Sequence, residues 1–336
     1  MGKTKLFLLA VISMGLVSGC LTNAATTHDG YLPLQQQRAV NFQMAAVALD
    51  EGVRAYCQKR SVESLTGLKL QWKTAFMSWM SLQGQEQGPE QAMTLAWQIQ
   101  FYPDKKNTTG RKLSHLMKGK QELSPAYMAT QSVAAQGLGA LEWLLFDENA
   151  DRRTDRFCQL GEAVSGHLAA TSGLLTEAWN EDPWAGAPEK VRKDAYFRAL
   201  ANQFDFVMKK LARPLGKPGS PKPYQLEAWR SRSSLESLKA SSVALQALYF
   251  ANGGGLDAEL RERGKTELAD RLGKHFNLLV EAFPVRGTAW GMLHTESGYR
   301  KLLGIYNELE YIRIALSDEA APVLGIVEGF NATDGD

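Results

Sequence analysis

One carboxylate stands out among the residues whose type and spacing favour chemistry. Glu142 lies within Ala140–Phe146, a segment that is otherwise apolar on every side and is therefore expected to be buried. A buried carboxylate without a partner either destabilises the fold or takes up a proton through a raised pKa. We therefore expect an arginine, a cation or several hydrogen-bond donors to face Glu142. Such an arrangement forms either a binding site or a salt bridge in the core.

Two glycines precede this carboxylate, Gly137 and Gly139. A residue without a side chain leaves space on one face of a helix. The sequence therefore predicts that another backbone segment or a ligand approaches this face.

No metal or nucleophile motif accompanies Glu142. The five histidines are scattered, at His28, His115, His167, His275 and His294. No two of them form the helical pair of a zinc protease, and His294 with Glu296 supplies only two ligands. No serine lies in a Gly-x-Ser-x-Gly elbow. Spacing alone predicts neither a catalytic constellation nor a resident metal site.

The elements that must position these residues are helices. Apolar residues recur at steps of three and four along five segments, which is the period of an α-helix. No segment shows the sustained alternation of apolar and polar residues that a half-buried strand requires. The seams are Phe42, Ala46, Leu49, Val53 and Tyr56; Trp72, Phe76 and Trp79; Phe197, Leu200, Phe204, Val207 and Leu211; Leu272, Phe276, Leu279 and Phe283; and Leu302, Ile305, Leu309, Ile312 and Leu316. The chain is predicted to be all-α.

About 300 ordered residues exceed the size at which one hydrophobic core usually divides, so two helical bundles are expected. Prolines interrupt the helical pattern at 183–188 and again at 214–223. We place the boundary at the first interruption. This gives an N-terminal bundle over 34–183, a C-terminal bundle over 184–330 and a tail over 331–336.

The N-terminus predicts export and a lipid anchor. Two lysines, an apolar run over 6–17 and the small residues Ser18 and Gly19 indicate a signal peptide over 1–19. The string Leu16-Val17-Ser18-Gly19-Cys20 resembles a lipobox, which implies that Cys20 carries lipid. An ordinary signal peptide beside a chance cysteine is the alternative. Residue 21 is leucine, not the aspartate that favours inner-membrane retention, so the periplasmic face of the outer membrane is expected.

The mature chain is expected to be neutral, because removing two lysines from 38 basic side chains balances the 36 acidic ones. This balance implies no nucleic-acid partner. Residues 20–33 are mostly small and polar, which suits a flexible tether. Cys57 and Cys158 are predicted to form a disulfide in an oxidising compartment, with two buried thiols as the alternative.

Several ordered motifs make the sequence resemble the imelysin family of bacterial envelope proteins. They are Trp72–Trp79, Phe101–Lys105, Gly137–Glu142, Glu227–Arg232 and the ending Gly329–Asp336. The resemblance implies two related helical bundles that arose by duplication, with a site between them. The family signature is Gly-x-His-x-x-Glu. Gly137 and Glu142 match it, whereas Gly139 occupies the histidine position.

The resemblance also implies which residues bind a ligand. They are Gly137, Gly139, Glu142, Asp104, Trp229, Ser231 and Arg232. We expect Arg232, and not Arg230, to face inward as the partner of Glu142. The structural alternatives are a turn or helix cap for Asp104, a core anchor for Trp229, and a solvated helix start for the two arginines.

Glycine neither binds a metal nor activates water, so the missing imidazole makes a peptidase doubtful. The resulting hypothesis is a non-catalytic lipoprotein that binds a ligand between its bundles. By resemblance alone, it assists iron or other metal acquisition with envelope uptake partners, and a divalent metal or iron is the candidate cofactor. One alternative is a metallopeptidase in which His115 or His294 replaces the missing ligand. The other is an interaction protein at the outer membrane.

Overall fold

The computed structural model describes residues 30–326, and over this range the chain is helical with no β-strand, as predicted. The first half contains α1 (Tyr31–Gln58), α2 (Val62–Trp79), α3 (Glu90–Ile99), α4 (Thr108–Lys118), α5 (Pro125–Ala129), α6 (Gly137–Phe146) and α7 (Asp155–Trp179). The second half contains α8 (Glu189–Leu215), α9 (Ser234–Phe250), α10 (Leu256–Glu262), α11 (Thr266–Glu281), α12 (Ala289–Leu293), α13 (Glu296–Ile314) and α14 (Ala321–Leu324).

Two groups of helices pack side by side. In the first group α1 packs against α2 and α7, and α7 also contacts α3, α5 and α6. In the second group α8 packs against α9 and α13, and α11 packs against α10 and α13. Helices α2 and α9 meet where the groups join, and the buried apolar residues form one continuous cluster across both. The chain passes between the groups in 180–188, where the sequence places a domain boundary. The internal duplication stays a prediction.

The helical period correctly identifies the core. Every residue of the five predicted apolar seams is buried, including Phe283 just beyond the end of α11. Helix α1 begins at Tyr31, earlier than the start expected near Leu34, because Pro33 fits a first helical turn. Tyr31 is fully buried and its hydroxyl donates a hydrogen bond to the Gln87 carbonyl. The last three residues of the expected tether therefore belong to α1.

The predicted disulfide is present. Cys57 near the end of α1 is bonded to Cys158 in the first turn of α7, with their Cα atoms 5.6 Å apart. Among residues 30–326, no helix combines the length and apolar character needed to span a bilayer. The signal peptide, Cys20 and the tail at 331–336 lie outside the described residues, and so does His28.

Candidate functional site

A cleft of about 330 Å³ opens where the two helix groups meet. One wall is formed by residues 100–109 and α6, and the other by residues 224–230, which precede α9. The polar and aromatic lining comprises Gln100, Phe101, Tyr102, Asp104, Lys105, Lys106, Asn107, Thr109, Glu142, Tyr224, Gln225, Glu227, Trp229 and Arg230. Of the residues predicted for the site, Asp104, Gly139, Glu142 and Trp229 line this cleft.

Glu142 lies at the cleft on α6 and is buried, with 5% of its surface exposed. Its Oε1 accepts a hydrogen bond of 2.8 Å from the backbone N–H of Ser231. Burial raises the pKa of the Glu142 carboxyl, and the Ser231 N–H and the charge of Arg230 oppose that shift only in part. The group therefore retains a proton more readily than an exposed glutamate.

The two glycines of α6 have different roles. Gly137 has φ +67°, and a Cβ there would lie 2.1 Å from the carbonyl oxygen of Ile99, so no side chain fits. Gly139 lines the cleft, and a Cβ there would meet only Oε1 of Gln100, at 3.6 Å. Gly137 therefore permits close packing of two backbones, whereas Gly139 leaves space open to the cleft.

The segment 227–233 positions Ser231 through an unusual backbone conformation. Ala228 and Arg232 have φ of 54° and 60°, values that are uncommon outside glycine. The Ser233 N–H donates to the Ala228 carbonyl at 3.2 Å, and the Ser231 hydroxyl donates to the same oxygen at 3.1 Å. These bonds hold a strained turn that directs the Ser231 N–H at Glu142.

The prediction that Arg232 is the partner of Glu142 is wrong, because the Arg232 side chain is exposed to solvent. Its guanidinium lies 3.7 Å from the ring centroid of Trp290. Arg230 is the inward arginine, and its Nε lies 2.7 Å from Oδ2 of Asp147. Arg232 was expected to face inward because it lies next to the helix that continues through Leu235 and Leu238. That helix, α9, begins at Ser234, but the left-handed backbone at Arg232 leaves its side chain exposed.

Arg230 contacts three neighbouring side chains, those of Asp147, Asn107 and Trp229. Its Nη2 donates to Asn107 Oδ1 at 2.7 Å, and its guanidinium lies 4.4 Å from the Trp229 ring centroid. Burial opposes ionisation of Asp147, but hydrogen bonds from Arg230 and Asn149 outweigh it and hold the pKa of the Asp147 carboxyl below its ordinary value. The arginine thus joins α6 and α4 to the segment before α9.

Asp104 is both a helix cap and a residue of the cleft wall. Its two carboxylate oxygens accept hydrogen bonds from the backbone N–H groups of Thr108 and Thr109, at 2.6 and 2.9 Å. Such bonds satisfy free donors in the first turn of α4. A helix cap was the structural alternative predicted for Asp104, and both oxygens of its carboxylate accept hydrogen bonds in that role.

A buried ion pair beside the cleft was not predicted. Lys210 of α8 lies 2.6 Å from Glu227, and both side chains are almost completely buried. Oε1 of Glu227 also accepts hydrogen bonds from Gln83 and Gln100, at 2.6 and 3.1 Å. Burial lowers the pKa of Lys210, and the charge of Glu227 opposes that shift. Glu227 belongs to one of the motifs that carry the family resemblance. Lys210 follows Val207 of the apolar seam by three residues, whereas Lys209 does not, so helical spacing could have indicated the inward lysine.

Two aromatic residues of the cleft lining, Trp229 and Tyr224, contact each other and remain at least partly exposed. Trp229 is partly exposed and stacks against Trp290, with ring centroids 6.0 Å apart. Tyr224 contacts Trp229 edge-on at 4.9 Å, and 67% of its surface is exposed. Trp229 is therefore a wall residue and not an anchor deep in the core.

The donor set does not fit a resident metal. No group of three or more His, Cys, Asp or Glu side chains is placed to hold an ion anywhere in residues 30–326. His115 and His294 are exposed and do not line the cleft, so neither replaces the missing imidazole there. His167 is buried and forms a hydrogen bond with the Gln136 side chain, and the His275 ring contacts the Glu308 carboxylate through Nδ1.

Two solved structures share this fold. An imelysin-like protein from Psychrobacter arcticum 273-4 superposes with a TM-score of 0.78 at 18% identity, over 90% of this chain and 97% of that one. A protein from Parabacteroides distasonis ATCC 8503, described as an iron-regulated protein A precursor, gives 0.65 at 13% identity, over 86% and 94% of the two chains. No curated protein sequence matches significantly.

The family model for imelysin, a peptidase family, matches residues 35–312. This range begins within α1 and ends within α13, so it includes both helix groups and every residue of the cleft. The chain belongs to the imelysin family.

Proposed function

We propose that this protein is a non-catalytic lipoprotein of the cell envelope that binds a small organic ligand in the cleft. The observation that carries the proposal is the burial of the Glu142 carboxyl at the cleft without an ion-pair partner. This carboxyl is buried at the cleft and accepts a backbone hydrogen bond from Ser231, yet no ion pair to it occurs within the described residues. An unpaired buried carboxyl has strong capacity to accept hydrogen bonds from a ligand.

The buried free groups of the cleft are acceptors, whereas the two lysines in its lining, Lys105 and Lys106, are exposed to solvent. Oε1 of Gln100 is buried and has no donor among the described residues. The inward cations are already engaged, because Arg230 binds Asp147 and Lys210 binds Glu227. The complementary ligand group is therefore a donor, and an ammonium group fits best, since it also stabilises the ionised form of Glu142.

The proposed location is the periplasmic face of the outer membrane, with the protein attached through lipid on Cys20. The disulfide supports an oxidising compartment. The relative described as iron-regulated supports a role in iron or other metal acquisition together with envelope uptake proteins. Since the cleft does not offer the ligands of a bare ion, the bound species in this proposal is organic.

Three probes with four carbon atoms each test the cleft: butylammonium, butanol and butyrate. Saturation-transfer NMR on the purified protein is expected to show butylammonium binding, weaker butanol binding and no butyrate binding. Glu142→Gln should weaken butylammonium binding about tenfold or more because the negative charge is lost. Glu148→Gln, on an exposed glutamate outside the cleft, is the matched control and should change nothing. Equal binding by both variants would refute the proposal.

The family name makes peptidase activity the enzymatic alternative. Elemental analysis of protein purified without a metal-capturing tag, together with a protein-cleavage assay, separates the two functions. The proposal predicts neither a stoichiometric metal nor chelator-sensitive cleavage. About one tightly bound metal per chain with chelator-sensitive cleavage would establish the enzyme instead. An interaction protein without a site would bind none of the three probes.

A further inference from the structure

A second concave surface lies where α2 and α9 pack side by side, with α1 beneath them. This α2–α9 groove has a volume of about 860 Å³ and shares no lining residue with the cleft. Its lining is mostly apolar, contributed by Leu70, Met77, Ala240, Val243, Ala244 and Ala247. Leu70 and Val243 are 60% and 42% exposed, so apolar surface remains uncovered by the described residues.

One charged residue of the groove is buried without a counter-charge. Arg38 of α1 lines the groove with only 6% of its surface exposed. Its Nη2 donates to the Ala244 carbonyl at 2.7 Å, but its Nη1 is buried and has no acceptor among residues 30–326. Burial lowers the pKa of Arg38 to about 10, so the guanidinium is charged at neutral pH.

The rest of the groove adds positive charge. Lys73 and Lys239 lie along its edges, and Glu236, the one acidic residue in its lining, forms an ion pair of 3.2 Å with Lys73. A buried guanidinium without an anionic partner is costly, and its preferred partner is a carboxylate or phosphate. The groove therefore combines an apolar surface with a buried cation, Arg38, that has no anionic partner among the described residues.

We propose that the α2–α9 groove binds a long-chain carboxylate, with the carboxylate on Arg38 and the alkyl chain along the apolar residues of α2 and α9. The groove residues of α9 extend from Glu236 to Ala247, which corresponds to about 16 Å of helix and accommodates an extended alkyl chain. This ligand differs in charge from the one proposed for the cleft, so the two sites are independent.

The test measures dodecanoate binding by isothermal titration below its micelle concentration. The protein comprises residues 21–336, which lack both the apolar signal segment and Cys20 and therefore carry no lipid. We expect dodecanoate to bind, and dodecylammonium to bind at least about tenfold more weakly. Absence of dodecanoate binding, or equal binding of the two amphiphiles, overturns the proposal.

Matched variants locate the site. Arg38→Gln and Val243→Asp should each weaken dodecanoate binding about tenfold or more, the first by removing the cation and the second by placing charge in the path of the alkyl chain. Val47→Asp is the control, because Val47 of α1 is exposed to a similar extent, 40% against 42%, and lies outside the groove. Since Val243 is a surface position, its variant remains informative even if Arg38→Gln folds poorly. Equal effects of Val243→Asp and Val47→Asp overturn the assignment.

Discussion

At the start of α6, two glycines separated by one residue differ sharply in what surrounds them. A methyl group at Gly137 would collide with the backbone of Ile99, and the positive φ adds further strain. A methyl group at Gly139 would make ordinary contact and would favour the helix. We predict that Gly137→Ala lowers the free energy of unfolding by more than about 2 kcal/mol, whereas Gly139→Ala leaves it unchanged or raises it by up to about 1 kcal/mol. Urea denaturation of the two variants measures this contrast, and similar losses in both would contradict it.

The raised pKa of Glu142 makes the stability of the fold depend on pH. Above the ordinary glutamate value of 4.5, the unfolded chain loses this proton before the folded chain does. Stability therefore falls as pH rises from that value through the folded pKa, and the full cost is present above the folded pKa. Glu142→Gln removes this dependence and retains an acceptor for the Ser231 N–H.

We predict that the stability of Glu142→Gln relative to the native sequence increases between pH 4 and pH 8, as measured by urea denaturation at each pH. Glu148→Gln, at an exposed position, serves as the control and should show no such trend. If the difference in the free energy of unfolding between Glu142→Gln and the native sequence is the same at every pH, burial does not raise the pKa of Glu142.

Among the elements, α8 is held to the segment before α9 by the Lys210–Glu227 pair. Removing one partner of a buried ion pair leaves the other charge without compensation and costs about 3–5 kcal/mol. Lys210→Met should therefore destabilise the protein by about that amount. Lys210→Met combined with Glu227→Gln should recover most of the loss, because no charge remains buried. Chemical denaturation of both variants tests the pair, and a double variant less stable than Lys210→Met alone would contradict the argument.

The same elements show how far sequence reasoning extends. Seams such as Phe204, Val207 and Leu211 reveal α8 because helical period and burial are local properties. The orientation of Arg230 and Arg232 was not predictable, because it depends on left-handed residues in a non-helical segment. The pairing of Glu227 with Lys210 was equally inaccessible, since the two residues are distant in the sequence and meet only in the assembled fold.

For the whole molecule, the cleft exists only while the two helix groups stay together. Its walls come from both halves, and Arg230 and Glu227 of the second half are anchored by Asp147 and Gln83 of the first. Glu142 was identifiable from its apolar neighbours alone, whereas the cleft itself needed the tertiary arrangement. Ligand binding should therefore depend on the stability of the whole fold as well as on the lining residues.

The disulfide is the covalent restraint on that fold, since it joins α1 to α7 across 101 residues of sequence. A loop of this length restricts the unfolded chain strongly, and loss of such a bond typically costs about 2–5 kcal/mol. We predict that reductant lowers the free energy of unfolding by this amount in the native sequence. A Cys57→Ala, Cys158→Ala variant should already have the lower stability and should not respond to reductant. Urea denaturation with and without dithiothreitol measures both proteins. If the native sequence is equally stable in both conditions while its thiols titrate as reduced, the bond does not stabilise the fold, and packing of α1 on α7 alone holds the first bundle together.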